Sequence, residues 1–394
     1  MISEESYRPI RIAQWGMTAG RGGLESFVMN LYRHIDRTKI QFDFLEPVGM
    51  PRMAYEDEIE EMGGHVYRVM ESQIKHPLKA GKTLRVFFHS HPEIVAVHAH
   101  ANAPYAYVLR KAKQCGIKLR VLHSHNSNAM DVTGYNVVKR SLWSVRDHIV
   151  RAQIDRYPTS YLACSGLAAE YMFPGKAYTF LPNGIDTARF AFDDQTRAEM
   201  RLELGLSDST TVIGFCGWLI ERKNPLFVLD IFRRYHQINS DSVLLIIGTG
   251  PLHGVLEQRI DEYDLRDSVR LLGDRKDMHR LYQVMDAFVL PSLFEGLSIV
   301  YVEAQCAGLP TLASSTSAPE TAITKLLKFV SLDDSVDVWV DALVNAIQDN
   351  MNIGRSVWAS EVKEKGFDSQ DLADYMMLYY ETQLSRFREM EDHE

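Results

Sequence analysis

Two hydrophobic periods alternate along the chain. IRIAQW (10–15), FDFLEP (42–47), IVAVHAH (94–100), LRVLHSH (119–125) and YLACS (161–165) are short and largely apolar, as strands buried on both faces are. Between them GGLESFVMNLYRHI (22–35), PLKAGKTLRVFFHSH (77–91) and APYAYVLRKAKQCG (103–116) repeat apolar residues at helical spacing. This alternation predicts βαβ units on a mostly parallel sheet. It breaks at FLPNGIDTARF (180–190), where Pro182, Asn183 and Gly184 are turn residues and a polar stretch runs on to about Ser209. An interdomain linker is expected there. The alternation restarts with TVIGFCGWL (211–219), NPLFVLDIFRRYHQI (224–238), SVLLIIGTG (242–250), VRLLG (269–273) and AFVLPS (287–292). The expected fold class is α/β, with two tandem Rossmann-like domains whose parallel sheets face a central cleft. The domains are expected over 1–185 and 186–369, with an amphipathic helix over about 370–394 docking back on the first.

The 394 residues suffice for two ordinary domains. No apolar run is long enough to span a bilayer, and the acidic start MISEESYRPIRIAQWG has no apolar signal segment. A cytoplasmic protein is expected. Cys115, Cys164, Cys216 and Cys306 are scattered and read as buried thiols rather than disulfides.

The net charge of −9 conceals an asymmetry. Residues 1–185 hold 23 Lys and Arg against 17 Asp and Glu, whereas the remainder holds 20 against 35. Within 75–156 the balance is 14 basic to 4 acidic, and VVKRSLWSVRDHIVRAQIDRY (137–157) interleaves the basic residues with apolar ones. Such a stripe is either a solvated helix face or an attraction to anionic lipid headgroups or a lipid-diphosphate acceptor. Weak association with an anionic membrane surface, peripheral at the inner face, is therefore an expectation. No nucleic-acid motif accompanies the stripe, so no nucleic-acid partner is expected.

The chemistry concentrates in SLFEGLSIVYVEAQCAGLP (292–310), where Glu295 and Glu303 stand eight positions apart behind the strand AFVLPS. Carboxyl ends of parallel strands are where open α/β sheets bind ligands. Two separated carboxylates suit hydroxyls at the two ends of one ligand, and the helix start at Leu297–Ser298 offers N–H groups to an anion between them. A nucleotide-sugar fits that order. GRGGLESF (20–27) opens the first helix with glycines that permit close backbone approach to phosphate. Arg222 and Lys223 in IERKN (220–224) could clamp a diphosphate. His98, His100, His123 and His125 form two H-x-H pairs whose strand alternation permits a metal site, and a metallohydrolase stays open. No G-x-S-x-G elbow or Cys/His nucleophile pattern is present, so the chemistry is expected to rest on positioning and charge stabilisation.

Taken in order, GRGGLESFVMNLYRHID, VHAHANAPY, LHSHN, LPNGID, IGFCGWLIERKNP, IIGTGPL, VRLLG and VLPSLFEGLSIVYVEAQCAGLP resemble the retaining glycosyltransferases of family 4, with the GT-B fold, and look closest to those of bacterial exopolysaccharide and capsule assembly. The resemblance is colinear over about residues 8–315. It implies transfer of a sugar from an NDP-sugar, by family habit a UDP-sugar, to a hydroxyl of a glycan or lipid-linked glycan. The transfer retains anomeric configuration, with the leaving phosphate assisting deprotonation of the acceptor, and no metal is needed. The second domain would bind the donor and the first the acceptor. By the same resemblance Glu295 contacts the transferring sugar, Glu303 the ribose, and the backbone at Gly296, Leu297 and Ser298 the diphosphate. Gly22 and Gly23 approach the phosphates, Lys223 is the phosphate-binding lysine, and His100 lies at the reaction centre. One departure concerns Trp218, which follows Gly217 where the family usually places an arginine; Arg222 is the residue that would compensate. An NDP-sugar epimerase or hydrolase of the same fold and a non-catalytic sugar-nucleotide-binding protein are the remaining alternatives.

Overall fold

A computed structural model describes residues 8–70, 76–127, 137–350 and 353–392. The side chains at 137–146, half of the basic interleaved stretch, lie outside the described residues. The chain forms two compact units, 1–182 with 369–394, and 183–368.

In the first unit seven strands run parallel in the order β3-β2-β1-β4-β5-β6-β7. They are β1 Ile10–Trp15, β2 Ile40–Pro47, β3 Val66–Met70, β4 Ile94–Ala101, β5 Leu119–Ser124, β6 Ser160–Ala163 and β7 Thr179–Phe180. The β1 and β4 strands pair in register from Ile12↔Ala96 to Trp15↔Ala99. Because β1 also pairs with β2, chain order reverses between β1 and β4, and their carboxyl ends form the crevice at which such sheets take ligands. The C-terminal helix Ser369–Asp392 returns to this unit. It buries Leu372, Ala373, Met376, Tyr380 and Leu384 in a core with Phe27, Tyr32, Phe42 and Phe44, the apolar face that its amphipathic pattern requires.

The second unit carries six parallel strands in the order β10-β9-β8-β11-β12-β13. These are β8 Thr211–Cys216, β9 Ser242–Ile247, β10 Val269–Gly273, β11 Ala287–Leu290, β12 Thr311–Ser314 and β13 Leu327–Val330. Here the reversal lies between β8 and β11, so the loops after these two strands share one crevice.

The stretch after Pro182 differs from a plain linker. The units divide at 182/183 rather than after 185, since Asn183 and Ile185 bond within the second unit, to Leu297 O and Phe367 O. Residues up to Ser209 include helices Thr187–Phe190 and Asp194–Glu203. Asp193 caps the latter by accepting from Thr196 N, Met200 is fully buried, and Arg197 pairs with Asp286 at 2.6 Å. Polar composition hid a helix whose apolar side is narrow. The region beyond Thr316, which carries little motif, is tied down by Arg355. Its guanidinium donates to carbonyls of Tyr282, Gln283, Met285 and Ala307, and burial pulls its pKa down to about 9.

Candidate functional site

The cationic turn and the carboxylate loop meet in the second unit. Arg222 and Lys223 occupy a single 3-10 turn, Glu221–Lys223, just after β8. Glu295 lies in the loop after β11, where it bridges Ser317. Lys223 Nζ stands 2.6 Å from Glu295 Oε1, and Arg222 Nη1 donates to the same oxygen at 3.1 Å. Lys223 and Glu295 are 8% and 5% exposed, so the pair has left bulk water and each charge depends on the other. Lys223 Nζ also reaches Ser298 Oγ at 3.5 Å. Gly217 packs beside this lysine, at a distance where a Cβ would make ordinary contact with the Lys223 stem. Arg222 lies over the Phe294 ring, 5.6 Å from its centroid.

Ser298 is the N-cap of the helix Ile299–Cys306, and its side chain makes no cap bond. The first turn of this helix follows directly on the loop of Gly296 and Leu297, with the Tyr301 N–H donating to Ser298 O at 3.1 Å. Asn183 holds that loop by donating from Nδ2 to Leu297 O at 2.5 Å. In the sequence Asn183 stands only as a turn residue; the bond spans 114 positions, and no local pattern marks it.

Glu303 sits partly buried one turn into this helix. Tyr282 Oη donates to its Oε2 at 2.9 Å. Burial raises the carboxyl to about 7, against which that hydrogen bond and Arg189 pull only in part. Cys216, at the end of β8, is pushed up to about 12 by burial and by Glu303. Trp218 is 63% exposed and has no charge to offer, which leaves Arg222 as the second cation beside Lys223.

In the first unit Gly22 caps the helix Gly23–His34. Its N–H donates to Glu25 Oε2 at 3.0 Å, while Thr18 N and Oγ1 both donate to Glu25 Oε1 at 2.8 Å. The glycine-rich turn is thus folded around an acid of its own. Gly16, with φ +114, precedes it, and a Cβ there would lie 2.0 Å from the His100 carbonyl oxygen. Only glycine brings the two strand ends this close.

His100 ends up 3% exposed with both ring nitrogens engaged. Its Nε2 lies 2.9 Å from Gln14 Oε1 and its Nδ1 3.0 Å from His125 Nε2. His125, just beyond β5, is only partly buried. His98, also buried, has Nδ1 2.5 Å from Tyr380 Oη of the C-terminal helix. All four histidines of the two H-x-H pairs are brought together around Phe27 and one another. Burial drives His98 down to about 3 and His100 and His123 well below the ordinary range, so these rings are neutral.

Residues 210–349 match the family described as Glycosyl transferases group 1, and residues 21–189 match Glycosyltransferase Family 4. The protein named glycosyltransferase EpsF of Bacillus subtilis (strain 168) is 32% identical over 332 residues, covering 83% of this chain and 85% of its own length. A GDP-mannose-dependent monoacylated alpha-(1-6)-phosphatidylinositol monomannoside mannosyltransferase of Corynebacterium glutamicum is 28% identical over 268 residues, 65% of this chain and 68% of its own. Among solved structures, Anabaena HepE in complex with UDP shares the fold with a TM-score of 0.73 at 14% identity, over 95% of this chain and 100% of that one. The sheet topologies, the paired carboxylate loop and these likenesses agree: the chain belongs to the family 4 glycosyltransferases of the GT-B fold.

Proposed function

We propose that the chain transfers a sugar from a nucleoside-diphosphate sugar, a UDP-sugar, to a hydroxyl of a glycan or lipid-linked glycan in exopolysaccharide or capsule synthesis, with retention of anomeric configuration. The observation that carries this reading is the buried Lys223–Glu295 pair at the β8/β11 switch point, next to a helix N-terminus and eight positions before Glu303. Glu295, already fixed by two cations, accepts from hydroxyls of the transferring sugar. Glu303 accepts from the ribose. Lys223, Arg222 and the backbone at Gly296, Leu297 and Ser298 meet the diphosphate, so its charge is neutralised without a metal at this point. Gly22 and Gly23 are proposed as further backbone contacts to phosphate. His100, with both ring nitrogens engaged by Gln14 and His125, acts through His125, whose ring it positions.

UDP is supported by the likeness to HepE, solved with UDP, whereas the Corynebacterium relative is named for GDP-mannose. Calorimetry with UDP, GDP and ADP, with and without EDTA, decides between the bases. One nucleotide binding to the wild type irrespective of EDTA, and not to Glu303→Ala, is the expected result; binding of none would sink the reading. Anomeric configuration is read by NMR of the product, and an inverted product would remove the retaining assignment.

Weak anionic-membrane association belongs to the same reading. The helix Pro77–Ser90 exposes Leu78 at 90% and Val86 at 58% beside exposed Lys79, Lys82 and Arg85, the composition of an interfacial helix. No described helix is long and apolar enough to cross a membrane. Flotation with anionic vesicles at low salt tests the association, and failure to float removes it.

A further inference from the structure

The donor chemistry gives His98 and His123 no task, and His100 enters it only through His125. We propose that His98, His100 and His123 form a site for one transition-metal ion of the zinc class, built wholly within the first unit and distinct from the donor-binding residues of the second.

Strand geometry brings the three together. His98 and His100 stand two apart on β4 and so face the same side. In the neighbouring strand His123 is the register partner of His100. One ligand atom from each lies within 4.8 Å of the others, and this is the one such group among the described residues. Nitrogens bound at about 2.0–2.1 Å to a tetrahedral ion stand roughly 3.4 Å apart, so side-chain rotation must draw the trio in by ~1.4 Å at most.

A second observation points to a ligand. His98, His100 and His123 are 1%, 3% and 0% exposed, yet His98 Nε2 and both ring nitrogens of His123 have no hydrogen-bond partner. A neutral imidazole always carries one N–H and one lone pair, and proteins seldom leave these unmet in the interior. An ion would take the lone pairs. Partners that orient metal-bound imidazoles are already in place: Tyr380 Oη on His98 Nδ1 and Gln14 Oε1 on His100 Nε2. The group contains neither carboxylate nor thiolate. Its all-imidazole character selects zinc, cobalt, nickel or copper and disfavours magnesium and calcium. The ion takes the His100 Nδ1 lone pair that the His125 Nε2–H now uses, so loading the site breaks that contact and releases the His125 ring.

The test uses the full chain without a histidine tag. Metal content is measured by mass spectrometry as purified, then the protein is stripped with EDTA and titrated with ZnCl2 and CoCl2. The expected result is about one ion per chain, a raised melting temperature on reloading, and the intense visible bands of tetrahedral cobalt. In His123→Gln uptake is lost while nucleotide binding, in which His123 has no part, persists. Should His123→Gln not fold, His98→Gln and the cobalt spectrum of the wild type decide. No uptake by the stripped wild type, a pale octahedral spectrum, or equal uptake by the folded variants would each overturn the site and leave water as the occupant.

Discussion

Lys223 and Glu295 come within 2.6 Å of one another across 72 positions of chain, and both are more than nine-tenths buried. Each follows one of the two strands, β8 and β11, between which the order of the second sheet reverses. The pair therefore does two things at once. It ties the turn after β8 to the loop after β11, and it fixes the Glu295 carboxylate against two cations.

Removing one partner strands the other. Lys223→Met is expected to destabilise the fold by on the order of 3 kcal/mol, because Glu295 keeps only Arg222. The double variant Lys223→Met with Glu295→Gln should recover much of this. Urea denaturation of the wild type, Lys223→Met, Glu295→Gln and the double variant measures the coupling, and strictly additive losses would argue against a desolvated pair.

Glu303 makes stability depend on pH. Its folded value of about 7 lies above the ordinary 4.5, so the folded state retains a proton that the unfolded chain releases first. This contribution is fully present below about pH 4.5 and is lost as pH rises through about 7. Glu303→Gln cannot ionise, so its stability relative to wild type should climb across that window and level off above it. Denaturation curves at about pH 5 and 8 check the sign. If Glu303 accepts from ribose, nucleotide affinity of the wild type should also rise through the same window, and that of the variant should stay flat.

Gly16→Ala places a methyl group 2.0 Å from the His100 carbonyl at a φ of +114. A loss of about 1–3 kcal/mol or more is expected, visible as a lowered melting temperature. An unchanged melting temperature would mean that β1 and β4 part more easily than the register implies.

Asn183→Ala frees the Leu297 carbonyl, the one bond that Asn183 Nδ2 makes to the donor loop. The stability cost should be about 1–2 kcal/mol, with nucleotide affinity falling as the loop loosens. Calorimetry on a variant whose melting curve stays cooperative separates the two effects.

Tyr380→Phe removes the partner of His98 Nδ1 at the cost of about 1–2 kcal/mol. Truncation before Ser369 is a larger change, since it uncovers the core that Leu372, Met376 and Tyr380 close. The point variant should remain monodisperse, whereas the truncated chain should aggregate on gel filtration.

The sequence by itself determined the sheet class, the order of the elements and the family, because buried parallel strands and amphipathic helices write their periods locally. IVAVHAH became β4, AFVLPS supplied β11, and Glu295 to Glu303 landed on a loop and the helix behind it. Local pattern also foretold that the C-terminal tail would need an apolar partner. Tertiary structure alone decided which distant residues meet. It set Arg222 and Lys223 against Glu295, Tyr282 against Glu303 and Asn183 against Leu297, contacts whose strength depends on burial and on strand order. It also placed the helix Asp194–Glu203 within the polar stretch, held by Arg197, Arg201 and Asp286, and it buried His100 while leaving His125 nearer the surface. Alternation assigns a strand residue to a face, but only the layers packed on that face decide whether water reaches it.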